Sequence, residues 1–184
     1  MICGSFSSAM ADVPQLRALQ PDDLPAYKAL RDETLALHPE AFTSDAESER
    51  SKPASSYLDR LGLQPGHGGR FTLGAWQGHR LVGAITCERD ARLKVRHIGH
   101  VVGMMVRAET RGQGVGQALV CACVERARAT RGFELLTLSV TSTNAAAVAL
   151  YTRAGFVRYG CLPHAVKLGD SYHDKDLMVL DLRP

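Results

Sequence analysis

Residues 104–120 read Met-Met-Val-Arg-Ala-Glu-Thr-Arg-Gly-Gln-Gly-Val-Gly-Gln-Ala-Leu-Val, and no other stretch constrains the fold as much. An apolar run enters a turn carrying Gly112, Gly114 and Gly116, and an amphipathic helical pattern follows at once. The first four N–H groups of a helix lack intrahelical acceptors, and the macrodipole makes that end attract anions. Strand, glycine turn and helix in this order predict a phosphate cradle. It is not a Walker A loop, because no Lys-Ser or Lys-Thr follows the last glycine. Nor do glycines spaced two apart make a G-x-G-x-x-G dinucleotide fingerprint. Three close glycines also suit a plain turn, so the neighbouring segments must decide.

Those segments have a definite order. A short strand is expected at 15–19 and a helix over 22–37, where Leu24, Tyr27, Leu30 and Leu37 recur at near-helical spacing. A second helix is expected from Pro53 to Leu61, stopped by Gly62, then a Gly/Pro loop at 64–69. Strands at 71–76 and 81–87 join at Gly78-His79 as a hairpin, and a third long strand covers 97–106. The helix after the cradle runs over 114–129, burying Val115, Leu119, Ala122 and Cys123. A strand at 135–140 precedes a short helix at 145–154, closed by Gly155 and Phe156. Two last strands, 156–167 and 172–182, turn at Gly169-Asp170. Early antiparallel strands followed by one strand–helix–strand crossover imply an α/β (α+β) chain. Its sheet is mixed, mostly antiparallel, of about seven strands flanked by helices.

Bulk composition bounds the function. The 184 residues suit one domain over 14–184 behind a flexible leader at 1–13, a segment without the basic start or apolar centre of a signal peptide. A net charge of +3 without a basic, aromatic-rich face argues against nucleic acid. Arg89, Arg92, Lys94 and Arg96 cluster only as a solvated turn. No apolar run reaches the roughly 18 residues of a membrane span. Five cysteines (Cys3, Cys87, Cys121, Cys123 and Cys161) show no framework spacing. They read as reduced and mostly buried, with no disulfide or metal role, which suits a cytoplasmic protein.

The arrangement resembles the GNAT superfamily of N-acetyltransferases, whose pattern Arg/Gln-x-x-Gly-x-Gly/Ala is met by Arg111, Gly114 and Gly116. The resemblance runs from about Leu16 to Leu182 and takes in Leu-His-Pro-Glu-Ala-Phe at 37–42 and the ending from Ser171 to Leu182. It implies that Arg111, Gly112, Gln113, Gly114, Val115, Gly116 and Gln117 hold the pyrophosphate of acetyl-CoA. It also implies that the fourth and fifth strands splay, with the pantetheine arm in the gap against Met104, Met105 and Val106. A backbone amide at or beside Val106 is then a donor to the thioester carbonyl. Asn144 and Tyr151, seven residues apart, would project to one side of the short helix. The resemblance gives Asn144 a contact to pantetheine and Tyr151 the proton for the departing thiolate. Asn144 alone reads as a helix N-cap and Tyr151 alone as a core aromatic. Acetyl-CoA is the co-substrate and no metal is implied.

A general base is harder to read. No acid lies between His97 and Val106, which leaves Glu88, His100 and His173, or a solvent chain. His100 shares strand parity with Met104 unless a bulge intervenes. Glu109 is expected to shape the phosphate turn. The expected reaction is direct attack by a primary amine, from a small molecule or a peptide α-amine, on the thioester. The rival is a non-catalytic acyl-CoA-binding sensor or interaction module. Homodimers are common in the family. The acidic residues Asp45, Glu47, Glu49 and Asp59 either attract a cationic amine or form a solvated face.

Overall fold

A computed structural model describes residues 14–63 and 69–183. The expected leader at 1–13 and most of the expected loop at 64–69 lie outside them. The seven strands are β1 (Gln15–Ala18), β2 (Phe71–Gln77), β3 (Arg80–Arg89), β4 (Ile98–Val106), β5 (Leu135–Thr141), β6 (Val157–Leu168) and β7 (Ser171–Asp181). The helices are α1 (Leu24–Leu37), α2 (Ala46–Arg50), α3 (Val115–Ala129) and α4 (Ala145–Arg153). The strands form one sheet in the order β1-β2-β3-β4-β5-β7-β6. Only β4 and β5 run parallel, because α3 carries the chain across between them; every other pairing is antiparallel.

Each sheet face has its own core. Val115, Leu119 and Cys123 of α3 pack with Leu136, Leu138 and Val140 of β5 and with Tyr151 and Phe156. On the opposite face Leu24, Tyr27 and Leu30 of α1 pack with Tyr57, Leu61 and Met105. The predicted helix at 53–61 is a 3-10 segment, Ala54–Leu61. The short α2 breaks what the sequence presents as a loop, and Asp45 caps it by accepting from the Ser48 amide at 2.8 Å. The cysteines divide. Cys87 and Cys123 are buried, whereas Cys121 and Cys161 are exposed, so the expected general burial holds for half of those described.

The β4–β5 ladder is short. Its pairs are Ile98–Leu135, Gly99–Leu136 and His100–Thr137, and beyond them the strands separate. On its other edge β4 stays paired with β3 as far as Val106, but the register slips between Ala84–Met105 and Thr86–Val102. Gly103 absorbs the slip at φ +59°, where a Cβ would lie 3.0 Å from an Arg60 guanidinium nitrogen. This bulge reverses strand parity. Val101 belongs to the α3-side core and Met105, four residues on, to the α1-side core.

Candidate active site

The glycine turn opens α3 as its pattern predicts. Gly112 and Gly114 take φ +75° and +80°, a left-handed conformation that side chains other than glycine disfavour. A Cβ at either would meet nothing within 4 Å, so the turn faces open space. Gln113 N–H donates to Thr110 O and Ala118 N–H to Gly114 O. The amides of Gly112, Gly114, Val115, Gly116 and Gln117 have no backbone acceptor among the described residues. Five free donors at the N-terminus of a 15-residue helix fit a multiply charged phosphate group. Glu109 shapes the turn through an ion pair to Arg80 at 2.6 Å.

The free amides open into a cleft of about 700 Å³ at the splayed end of β4 and β5. Met104, Met105, Val106, Arg111, Gly112, Gly114, Val115, Gly116, Gln117 and Asn144 all line it. Gln113, expected with them, turns aside: its amide nitrogen donates to Glu109 O and its oxygen accepts from Gln77. Smallness at Gly116 keeps the floor open, since a Cβ there would lie 3.3 Å from Leu150 and 3.4 Å from Met104. An elongated chain entering between the strands would find the backbone groups of β4 that β5 leaves unpaired.

Asn144 and Tyr151 do not project together. Asn144 has non-helical dihedrals (φ −82°, ψ 72°), and its side chain accepts from the Ala147 amide at 3.0 Å, capping α4 at the cleft edge. The helical phase starts one residue later, so Ala147 and Leu150 face the cleft while the Tyr151 ring enters the core. That ring is 6 % exposed and packs edge-on against Phe156. Its hydroxyl has no hydrogen bond among the described residues. It is also not among their sealed, unpartnered side-chain atoms, which are Asp32 Oδ1, Arg70 Nε and Trp76 Nε1. Burial pushes the phenol well above its usual pKa, so it is held protonated.

Glu88 and His100 are the larger departure. They are cross-strand neighbours on β3 and β4, where those strands are still fully paired. They line a separate cavity with Arg70, Arg96 and Arg131 at the opposite end of β4 from the cradle. His100 Nδ1 is 2.8 Å from Thr137 Oγ1. Four residues of strand separate His100 from Met104, about 13 Å, and the bulge puts the two on different faces. His173 is half-buried near the start of β7 and pairs with Val166. The arginine-rich turn is only partly solvated: Arg89 folds over the Phe133 ring and donates to Gly132 O.

The far wall of the cleft carries residues that sequence reasoning missed. Thr34 from the end of α1 and His38, Glu40, Ala41 and Phe42 around a 3-10 turn at Pro39–Ala41 line it. Arg111 donates to His38 Nε2 at 2.6 Å, and His38 Nδ1 lies 3.5 Å from Glu40. Thr141 of β5 anchors the turn by donating to Glu40 O at 2.8 Å. The Leu-His-Pro-Glu-Ala-Phe segment was the available signal, but only packing against β5 turns it toward the cradle. The acids at 45–59 are largely occupied elsewhere. Asp45 caps α2, and the buried Glu49 accepts from Arg31 at 2.7 Å, Tyr57 at 2.7 Å and Lys52 at 2.5 Å.

The sequence matches the model of the "Acetyltransferase (GNAT) family" over residues 27–156. It is 32 % identical over 154 residues to the mycothiol acetyltransferase of Salinispora tropica, covering 82 % of this chain and 47 % of that protein. It is 28 % identical over 113 residues to N-alpha-acetyltransferase 30 of Schizosaccharomyces pombe, covering 61 % of this chain and 73 % of that protein. The chain thus spans about half the length of the mycothiol acetyltransferases it matches. A solved acetyltransferase structure from Salmonella typhimurium, with its cofactor acetyl-CoA, superposes with a TM-score of 0.76 at 20 % identity. That superposition covers 93 % of this chain and 95 % of the other, a likeness of fold. No described helix is long and apolar enough to cross a membrane, and no described group of His, Cys, Asp or Glu is arranged to hold a metal ion.

Proposed function

The chain belongs to the acetyltransferase (GNAT) family, and we propose that it moves an acetyl group from acetyl-CoA to a primary amine in the cytoplasm. The observation that carries this reading is the row of five free amides at the mouth of a gap between two parallel strands. A pyrophosphate on Gly112 to Gln117 and Arg111 would leave a pantetheine arm directed along β4. The amides of β4 near Val106 are donors for the carbonyl oxygen, which gains charge as the amine attacks. The amine nitrogen bonds to the carbonyl carbon, the carbon–sulfur bond breaks, and the thiolate takes a proton. Tyr151, protonated and without another hydrogen bond among the described residues, is the donor this reading assigns.

Glu88 and His100 stand beyond the point where β4 and β5 close, and this reading assigns loss of the amine proton to a solvent chain in the cleft. The deciding assay is CoA release from acetyl-CoA across a panel of small amines and peptide α-amines. Turnover on at least one amine, with loss on Tyr151→Phe, is the expected result. Binding of acetyl-CoA with no turnover on any amine would leave a sensor in place of an enzyme.

A further inference from the structure

Lys175 has no evident reason to be where it is. It lies in β7, pairs in register with Thr141 of β5 and Leu162 of β6, and is 7 % exposed. Antiparallel partners carry their side chains on the same face, so Lys175 shares the face of Thr141. On that face Thr141 is bonded to the 3-10 turn at Pro39–Ala41 and lines the cleft. The turn contacts both β5 and β6, the strands flanking β7.

No carboxylate, carbonyl or hydroxyl among the described residues accepts from its ammonium group, and burial alone lowers its pKa. Its nitrogen is nevertheless not among the sealed atoms, so it keeps contact with open space. A buried cation without a partner destabilises a fold, and an apolar residue of similar length would serve the sheet better. Such a residue is expected where a ligand completes the pair. The surrounding charge agrees. Glu40 is the one carboxylate on the cleft wall among the described residues, beside His38, Arg111 and Arg153.

We propose that Lys175 anchors an anionic group of the acceptor, so that the acceptor is an amine that also carries a carboxylate. The proposal rests on the acetyltransferase reading above. Two sources share this chemistry: a free α-amino acid, and a peptide whose first residue is acidic.

The test compares kcat/KM for L-amino acids, their amides, the matching decarboxylated amines, and peptides beginning with Asp or Asn. Preference for the free amino acid over its amide identifies the first source, and preference for the Asp peptide over the Asn peptide the second. In either case the carboxylate-bearing acceptor should be favoured about tenfold or more. Lys175→Met should bring that ratio toward one, mainly through KM for the acceptor, and Lys175→Arg should retain part of it. The Met variant should also unfold at a higher temperature than the parent, which separates a lost contact from a damaged fold. Turnover on amines with no carboxylate preference, or a preference untouched by Lys175→Met, overturns the anchor and leaves the acetyltransferase intact. Absence of turnover on every acceptor, with acetyl-CoA still bound, overturns both.

Discussion

Tyr151 sits in the core, and the acetyltransferase reading proposed above assigns its hydroxyl a part in the chemistry. Its ring contributes to packing through Phe156, and its hydroxyl is left without a hydrogen bond among the described residues. Removing that oxygen should leave the fold intact and slow the chemical step. We expect Tyr151→Phe to lower kcat by about 10²-fold or more, with little change in KM for acetyl-CoA, as measured by steady-state CoA release. Glu88→Gln and His100→Ala should each lower kcat by less than about tenfold, a difference too small for direct proton transfer. Larger losses would restore the cavity at the paired end of β4 to the reaction. The sequence makes Tyr151 conspicuous by its seven-residue spacing from Asn144. It does not reveal that Glu88 and His100 lie away from the cradle, because parity along β4 reverses at Gly103.

Among the elements, α1, α2 and the 54–61 segment are joined by one buried polar cluster. Arg31, Glu49 and Tyr57 are all nearly inaccessible, and Arg31 and Tyr57 both donate to the Glu49 carboxylate. Burial pushes the Glu49 carboxyl up, but donors from Lys52, Arg31 and Tyr57 outweigh it and hold the group at about 2. A depressed folded-state value stabilises the protein above the unfolded value near 4.5, and that contribution fades as pH falls from 4.5 toward 2. Urea midpoints taken between pH 6 and pH 3 should therefore decline in the parent and decline less in Glu49→Gln. At pH 7 the same variant should be less stable by about 3 kcal/mol, since Arg31 is left buried without its charge partner. This cluster is poorly legible in the sequence. The five residues of α2 show no apolar periodicity, and Glu49 looks like any solvated acid until α1 covers it.

For the whole molecule, the sheet brings the cradle, the splay and the far wall together from three distant stretches of chain. A ligand that binds across all three should resist unfolding of each. Acetyl-CoA at about 100 times its Kd should stabilise the protein by about 2.7 kcal/mol, read as a rise in Tm. Gly114→Ala forces a side chain into a left-handed backbone costing roughly 1–2 kcal/mol. It should lower the Tm of the free protein and raise the acetyl-CoA concentration needed for the shift. An equal response in both proteins would remove the glycine turn from cofactor binding.

The order of the strands and of the helices other than α2, the glycine turn and the identity of its neighbours were determined locally. They depend on periodicity, capping and backbone freedom, which act over a few residues, so a single sequence carries them. Tertiary structure decided which groups meet. The slip at Gly103 separates His100 from the cleft, docking of 39–41 on Thr141 builds the far wall, and pairing of β7 buries Lys175 beside it. Those outcomes depend on strand register and on packing between separate segments, such as Glu40 and Thr141, which no local pattern encodes.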